Sequence, residues 1–153
     1  MSNHVWKPNV TVAAVVERDG RFLLVEEETD SGLRFNQPAG HLDEGESLVQ
    51  AAAREALEES AWHFVPKFLV GIYQWTRPQG DITYLRFAFG GELTGFEAER
   101  KLDEGILRAV WMTPEEVEAT KDRHRSPLIA QCIADYRAGS RYPLELIRHY
   151  DAA

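Results

Sequence analysis

The sequence has very little cysteine and no long apolar run. Its single cysteine, Cys132, cannot form an internal disulfide, so we expect a reducing, cytoplasmic compartment. A membrane-spanning helix needs about 18 or more consecutive apolar residues, and no such run is present. The first residues also lack a basic start followed by a long apolar stretch, so we expect no signal peptide. Cys132 itself lies in an apolar helical pattern, which predicts core packing rather than a nucleophilic role.

Basic residues are also scarce. Lys and Arg together number 17, against 25 Asp and Glu, which gives a formal net charge of -8. A chain of this charge repels phosphate polymers, so we expect neither a nucleic-acid polymer nor an anionic membrane as partner. A small anionic substrate would need metal ions or locally clustered arginines. Repeats, low-complexity segments and long linkers are lacking too, and we therefore expect residues 1–153 to form a single domain.

Four glutamates stand out in residues 40–62, which read GHLDEGESLVQAAAREALEESAW. Glu55, Glu58 and Glu59 have the spacing i, i+3, i+4, and residues at these spacings share one face of a helix. Three like charges on one face repel each other unless a cation binds between them, and Mg²⁺ prefers carboxylate oxygens. A solvated acidic face is the alternative interpretation. The pattern favours a Mg²⁺ site, with Mn²⁺ as a possible substitute.

The helix that carries these glutamates is well specified. Ser47 and Gln50 have the spacing of a capping box, in which each side chain bonds the backbone N–H of the other. The alanine run at residues 51–53 has high helix propensity and lets the helix lie close to a sheet. Gly40 and Gly45 bracket a turn-rich loop before it.

The pattern Gly40, five residues, Glu46, seven residues, Arg54-Glu55-Ala56, one residue, Glu58-Glu59 resembles the Nudix box. The sequence departs from that pattern at Ala61, where the box has a glycine that ends the helix in the left-handed region. The resemblance implies an α+β fold, an α/β/α sandwich with a mixed β-sheet and a central catalytic helix. It also implies hydrolysis of a pyrophosphate bond with Mg²⁺, whose ligands would be Glu55, Glu58 and Glu59, with Glu46 a weaker fourth.

Two catalytic roles stay open at this stage. Arg54 could orient Glu46 or another carboxylate through its planar guanidinium, or it could form an ordinary i,i+4 pair with Glu58. For the general base, relatives use either a glutamate of the box or a carboxylate on a distant loop, and the candidates here are Glu55 and Glu104. The alternative for Glu104 is a solvated charge in the polar stretch 99–104.

Hydrophobic patterns predict the remaining elements. Asp19-Gly20 predicts a hairpin, and Thr113 with Glu116 predicts a capped short helix. We expect residues 29–34 to be a polar loop and the tail from Arg141 to be irregular. The predicted strands are residues 9–17, 21–27, 68–76, 82–93 and 107–112, with a last helix from Ser126 to Gly139. The grouping of strands around one helix favours an α+β layered fold.

Segments outside the box resemble the NudJ-type branch of the Nudix family. They are NVTVAAVV near the start, YQW at residues 73–75, LRFAF at 85–89, RSPL at 125–128 and RYPLELI at 141–147. The resemblance implies small ring-bearing substrates, namely thiamine and hydroxymethylpyrimidine pyrophosphates and nucleoside di- and triphosphates, with release of orthophosphate.

Aromatic and basic side chains could bind such substrates. Aromatic rings can stack on a pyrimidine or nucleobase, and arginines can bind phosphate. Aromatic residues are also common in cores, and we expect Trp6, Trp62 and Trp111 to be packing residues. The candidates for substrate binding are Arg34, Phe35, Trp75, Arg77, Tyr84 and Arg86. His41 has no assigned role.

Two other functions remain alternatives. A Nudix-fold sensor would bind a phosphorylated metabolite without cleaving it, although such modules generally lose carboxylates of the box and this sequence keeps them. An enzyme that removes oxidised nucleotides would share the metal site and differ in substrate.

Overall fold

The computed structural model describes residues 4–152. Two short 3₁₀ helices, Lys121–Arg123 and Leu144–Leu146, join the regular elements. In chain order these are β1 (Asn9–Ala14), β2 (Glu17–Arg18), β3 (Arg21–Thr29), β4 (Gly32–Asn36), β5 (Ala39–His41), α1 (Leu48–Ser60), β6 (Trp62–Thr76), β7 (Thr83–Phe96), β8 (Ile106–Met112), α2 (Pro114–Ala119), α3 (Leu128–Arg137) and β9 (Tyr142–Pro143).

The strands form two sheets. The first has the order β5-β1-β7-β6-β9, with β1 parallel to β7 and the other pairs antiparallel, so it is a mixed sheet. The second contains β2, β3 and β4, with β8 paired to β3. The predicted α+β architecture with a mixed sheet is confirmed, and the second sheet is a feature that hydrophobic periodicity did not predict.

Strand β1 and its continuation separate two hydrophobic cores. Val12 and Ala14 pack with Ala52, Ala56 and other residues on the α1 side. Ala13 and Val15 instead pack with residues of α3, including Ile129 and Cys132. Successive side chains of a strand point to opposite faces, so a strand covered on both sides needs an uninterrupted apolar run. This explains the sequence VAAVV and gives the α/β/α layering.

Local signals placed the turns and caps correctly. Asp19 and Gly20 both have positive φ, 52° and 76°, as the predicted hairpin requires. Both predicted capping boxes are present, at Ser47 and at Thr113. Cys132 is fully buried, as predicted. Within residues 4–152, no helix is both long enough and apolar enough to cross a membrane.

Several predicted boundaries were wrong. The segment expected to be a loop at residues 29–34 instead ends β3 and begins β4, because backbone pairing of Thr29 with Gly32 closes a tight hairpin. Strand β6 begins at Trp62 rather than at 68, directly after α1. The tail forms β9, which pairs with Phe68 and Leu69. Trp6 was expected to pack in the core, but it is 62% exposed.

Candidate active site

Helix α1 holds the carboxylates because both of its ends are well defined. At its start, Ser47 Oγ accepts from Gln50 N at 3.1 Å, and Gln50 Oε1 accepts from Ser47 N at 2.9 Å. At its end, Ala61 has φ 66°, and its N–H donates to the carbonyl oxygen of Leu57. Between these ends, the helical repeat brings Glu55 and Glu58 to one face.

Three carboxylates form a compact cluster at this face. Glu55, Glu58 and Asp103 each contribute an oxygen, and these oxygens lie within 4.8 Å of one another. The Asp103 backbone N–H donates to the Glu58 carbonyl oxygen at 3.0 Å, which anchors the loop before β8 on α1. Hard oxygen ligands at this spacing suit a divalent cation such as Mg²⁺. The cluster is therefore a candidate site for a divalent cation, with Asp103 in addition to two of the predicted glutamates.

Arg54 binds the carboxylates around this cluster. Its Nη1 donates to Glu55 Oε1 at 2.8 Å and to Glu58 Oε1 at 2.9 Å. Its Nε and Nη2 donate to the two oxygens of Glu46 at 3.0 and 2.7 Å. Both interpretations of Arg54 that the sequence left open therefore apply. Its guanidinium binds the two oxygens of Glu46, and it also pairs with Glu58 at i+4.

Glu46 lies outside the cluster. Besides the two bonds from Arg54, its Oε1 accepts from the Asp43 N–H at 2.8 Å. The Arg54 hydrogen bonds lower the pKa of this carboxyl, an effect that burial partly opposes. Both carboxylate oxygens of Glu46 accept hydrogen bonds. Glu46 therefore holds Arg54 in place and does not belong to the carboxylate cluster.

Glu59 follows Glu55 by about one turn of α1 and is buried, with only 9% of its surface exposed. Its Oε1 accepts from the Ala39 N–H at 3.0 Å. Burial raises the pKa of Glu59 to about 9, and the nearby charges of Glu55 and Glu27 add to this effect. Burial likewise raises the pKa of Glu55 to about 7, although Arg54 opposes the shift. Buried carboxylates that resist ionisation are the groups whose charge a bound cation would stabilise.

Gly40 provides the space that Glu55 occupies. A Cβ atom at this position would lie 2.2 Å from the Glu55 carboxyl group, far inside van der Waals contact. Only glycine lets the backbone of β5 approach the carboxylate this closely. The glycine of the motif is therefore needed for packing against a functional side chain.

A cavity of about 430 Å³ is lined by Glu59 and by Gly40, which lies next to the Glu55 carboxyl group. Trp75 and Tyr84 stand directly opposite each other on β6 and β7, and their rings are stacked, with centroids 6.0 Å apart and planes 16° apart. Both rings line the cavity. They form one aromatic wall, which could accept a flat ligand ring.

The arginines that line the cavity differ in whether a carboxylate is paired with them. Arg77 is paired with Asp81, and Arg125 with Glu27 at 2.7 Å. Among the cavity arginines, Arg34 and Arg86 have no carboxylate partner within the described part of the chain. Among the described residues, Arg34 bonds only the Leu33 carbonyl oxygen, at 3.1 Å, so its guanidinium remains available for a phosphate.

The structure separates Phe35 from the other candidates for substrate binding. Arg34, Trp75, Arg77, Tyr84 and Arg86 all line the cavity. Phe35 is 2% exposed and packs in the core beneath the Arg123 guanidinium. Arg34 and Phe35 are consecutive residues of β4, and consecutive residues of a strand face opposite sides.

Two residues of the site were missed at the sequence level. Asp103, and not the adjacent Glu104, joins the carboxylate cluster, although both residues are exposed. Arg125 lines the cavity beside Ser126. A polar loop gives no periodicity that would distinguish Asp103 from Glu104, and Arg125 belonged to a segment that was noticed only for its resemblance.

Comparisons with known proteins agree with this geometry. A family model described as the NUDIX domain matches residues 6–132. Proteins named Phosphatase NudJ, from Escherichia coli K12 and from Shigella flexneri, are each 41% identical over 147 residues, covering 96% of this chain and 95% of theirs. A solved structure described as a NUDIX hydrolase from Nitrosomonas europaea is 52% identical, with a TM-score of 0.93, and covers 96% of this chain and 100% of its own.

The chain therefore belongs to the Nudix family, and it is a Nudix hydrolase. Among the relatives found, the proteins named Phosphatase NudJ match nearly the whole chain, beyond the helix and its box.

Proposed function

We propose that this protein is a Mg²⁺-dependent hydrolase that cleaves pyrophosphate bonds in small ring-bearing substrates and releases orthophosphate. Thiamine pyrophosphate, hydroxymethylpyrimidine pyrophosphate and nucleoside di- and triphosphates are the substrates we propose. The observation that carries this proposal is that Glu59, which is close to Glu55 and Asp103 of the carboxylate cluster, lines the cavity. A carboxylate cluster suited to a metal adjoins a cavity that has an aromatic wall and arginines. The relatives named Phosphatase NudJ support the same reaction class.

In this proposal, Glu55, Glu58 and Asp103 hold the cation, and Glu59 contributes from the cavity side. A bound divalent cation would neutralise phosphate charge and polarise the phosphorus–oxygen bond. Arg54 is a positioning residue, because its bonds fix Glu55 and Glu58 relative to each other. Glu46 in turn fixes Arg54.

The substrate would lie with its ring on the wall of Trp75 and Tyr84 and its phosphates toward Glu59. Arg34 is our candidate for a direct phosphate contact, since it has no carboxylate to displace. Glu55 is our candidate for the general base. A carboxylate beside the cation and the attacking water can accept the proton that the water loses. Attack of water on phosphorus would then break the bond to the bridging oxygen and transfer a proton to Glu55.

The first test is removal of one metal ligand. Replacing the carboxylate in Glu58→Gln removes a charge and an oxygen ligand while nearly preserving shape, so we expect turnover to fall by a factor of about 100 or more. Turnover of the wild type should also disappear in excess chelator and return with Mg²⁺. Glu92→Gln, on the exposed end of β7, is the matched control and should keep full activity. Full turnover by Glu58→Gln, or by the wild type in chelator, would contradict the proposal.

A substrate panel tests the ring and the product. Orthophosphate and pyrophosphate should be measured separately from thiamine pyrophosphate, nucleoside di- and triphosphates, a dinucleoside polyphosphate and ADP-ribose. We expect orthophosphate, with modest discrimination among rings, because stacking accepts any flat π-face. A large preference for the dinucleoside polyphosphate or ADP-ribose, or release of pyrophosphate alone from triphosphates, would overturn it. Binding without any cleavage would indicate a sensor instead.

A further inference from the structure

Two polar side chains lie side by side on the floor of the cavity. Thr11 of β1 is paired with Arg86 of β7 in the parallel ladder, and residues paired in this way point to the same face of a sheet. Both residues line the cavity, although Thr11 is only 8% exposed and Arg86 only 6%. Neighbouring strands are about 4.8 Å apart, so one small anion could contact both side chains.

The guanidinium of Arg86 is a buried charge whose partners are neutral. Its Nη1 donates to Gln37 Oε1 and its Nη2 to Asn36 Oδ1, both at 2.8 Å. Nη1 also lies 4.0 Å from the sulfur of Cys132. In the described part of the chain, no carboxylate is paired with this guanidinium. A buried charge without an opposite charge is unfavourable, so an anion bound in the cavity would stabilise it.

Each of the two side chains also has a hydrogen-bond donor that is open to a ligand. Within residues 4–152, neither the Thr11 hydroxyl nor Arg86 Nε bonds another protein atom, and neither of these atoms is fully enclosed. A hydroxyl group and a guanidinium N–H both donate, and phosphate oxygens accept strongly from such groups. The floor of the cavity therefore presents two adjacent donors, one of which carries a positive charge.

These donors lie between the aromatic wall and the carboxylates. The sheet has the order β5-β1-β7-β6, and the aromatic wall belongs to β6 and β7. Strand β5 borders the carboxylates, because the Ala39 N–H donates to Glu59. A substrate that extends from the wall toward β5 would therefore pass over Arg86 and Thr11.

We propose that Thr11 and Arg86 form a metal-independent subsite for one phosphate group of the substrate, the group next to the phosphate that is released. The ligand class is a phosphate monoester or the inner phosphate of a pyrophosphate. After cleavage, the subsite holds the phosphate that remains on the product. This inference deepens the proposed function and relies on it for the direction in which the substrate lies.

The test compares ligands that differ by one phosphate group, in excess chelator. Thiamine with thiamine monophosphate is one pair, uridine with uridine monophosphate is the second, and calorimetry gives each Kd. A hydrogen bond to a charged group changes affinity by about tenfold or more. With two such bonds, the wild type should bind each monophosphate about 100-fold more tightly than the ligand without phosphate. Thr11→Val should reduce this ratio about tenfold, and Thr11→Ser, which keeps the hydroxyl, should preserve it.

Thr94→Val is the matched control, because it makes the same change at an exposed position of β7 away from the cavity. It should keep the wild-type ratio, and thermal midpoints should show that every variant is folded. A wild-type ratio near one, undetectable binding of both monophosphates, or an unchanged ratio in folded Thr11→Val would overturn the inference. Failure of the proposed function would instead show as absent turnover of every pyrophosphate in Mg²⁺, which Kd ratios in chelator do not measure.

Discussion

At the scale of single residues, the active site depends on a missing side chain as much as on charged ones. The Glu55 carboxyl group occupies the space where any other residue at position 40 would place its Cβ atom. The carboxylate is held there by Arg54 and lies beside Glu58 and Asp103. A shift of Glu55 would therefore change every distance in the cluster.

Gly40→Ala should impair catalysis more than it impairs folding. The new methyl group must displace the Glu55 carboxyl group, so we expect a loss of activity of at least about tenfold, together with weaker Mg²⁺ binding, as measured by Mg²⁺ titration of turnover. Gly95→Ala is the matched control, because a Cβ there meets only His63 Cδ2, at 3.7 Å. Wild-type Mg²⁺ dependence in Gly40→Ala would contradict this reasoning.

Spacing predicted the residues whose positions a helix fixes. Glu55 and Glu58 were placed together by the helical repeat alone. Alternation along a strand could also have excluded Phe35, since its neighbour Arg34 faces the cavity. Asp103 could not be predicted in this way, because its position depends on a backbone bond to Glu58 that joins a distant loop to α1.

At the scale of elements, helix α1 ends at a residue with a strained backbone conformation, Ala61. Ala61 adopts φ 66°, which lies in the left-handed region where the Nudix box has a glycine. The strand β6 begins at the next residue, so the helix has no room to end differently. For a residue with a Cβ, this conformation costs about 1 kcal/mol.

Ala61→Gly should therefore raise the free energy of unfolding by about 1 kcal/mol. Denaturant midpoints of the two proteins measure the change. Ala138→Gly is the matched control at the end of α3, where φ is -73° and glycine relieves no strain, so its stability should fall. An unchanged or lowered midpoint for Ala61→Gly would show that the strain is absent.

The sequence predicted the elements that local signals define. It missed a strand whose existence depends on a distant pairing partner. The caps of α1 and α2 and the hairpin turn at Asp19 follow from short-range chemistry. Strand β9 exists only because Phe68 and Leu69 offer a free sheet edge to the tail. No pattern within the tail itself indicates that partner.

At the scale of the whole molecule, the active site lowers the free energy of unfolding when no cation is bound. The active site buries two carboxylates of α1, Glu55 and Glu59, whose charged form is unfavourable without a cation, and the pKa is raised further at Glu59. Its pKa is raised from 4.5 to about 9, so the folded protein retains a proton that the unfolded chain releases. Its stabilising contribution is complete below about pH 4.5 and is lost as pH rises through about 9.

In excess chelator, the unfolding midpoint of the wild type should fall between pH 6 and pH 8.5. Glu59→Gln carries no titrating group there, and its Oε1 can still accept from Ala39, so its midpoint should fall less and lie above that of the wild type at pH 8.5. Glu92→Gln should follow the wild type. A parallel decline in Glu59→Gln would assign the pH dependence to other groups, such as Glu55.

Because Cys132 is buried, the rate at which a thiol reagent modifies it would report how often the protein opens around this residue. It is the sole thiol in the sequence and is fully buried, and burial raises the pKa of the thiol. A thiol reagent can modify it only when α3 lifts from the sheet, so the modification rate counts these openings. Arg86, which contacts the sulfur at 4.0 Å, also holds Asn36. A ligand that occupies the cavity should therefore slow the labelling, and labelling as fast as that of an unfolded thiol would show that α3 does not protect it.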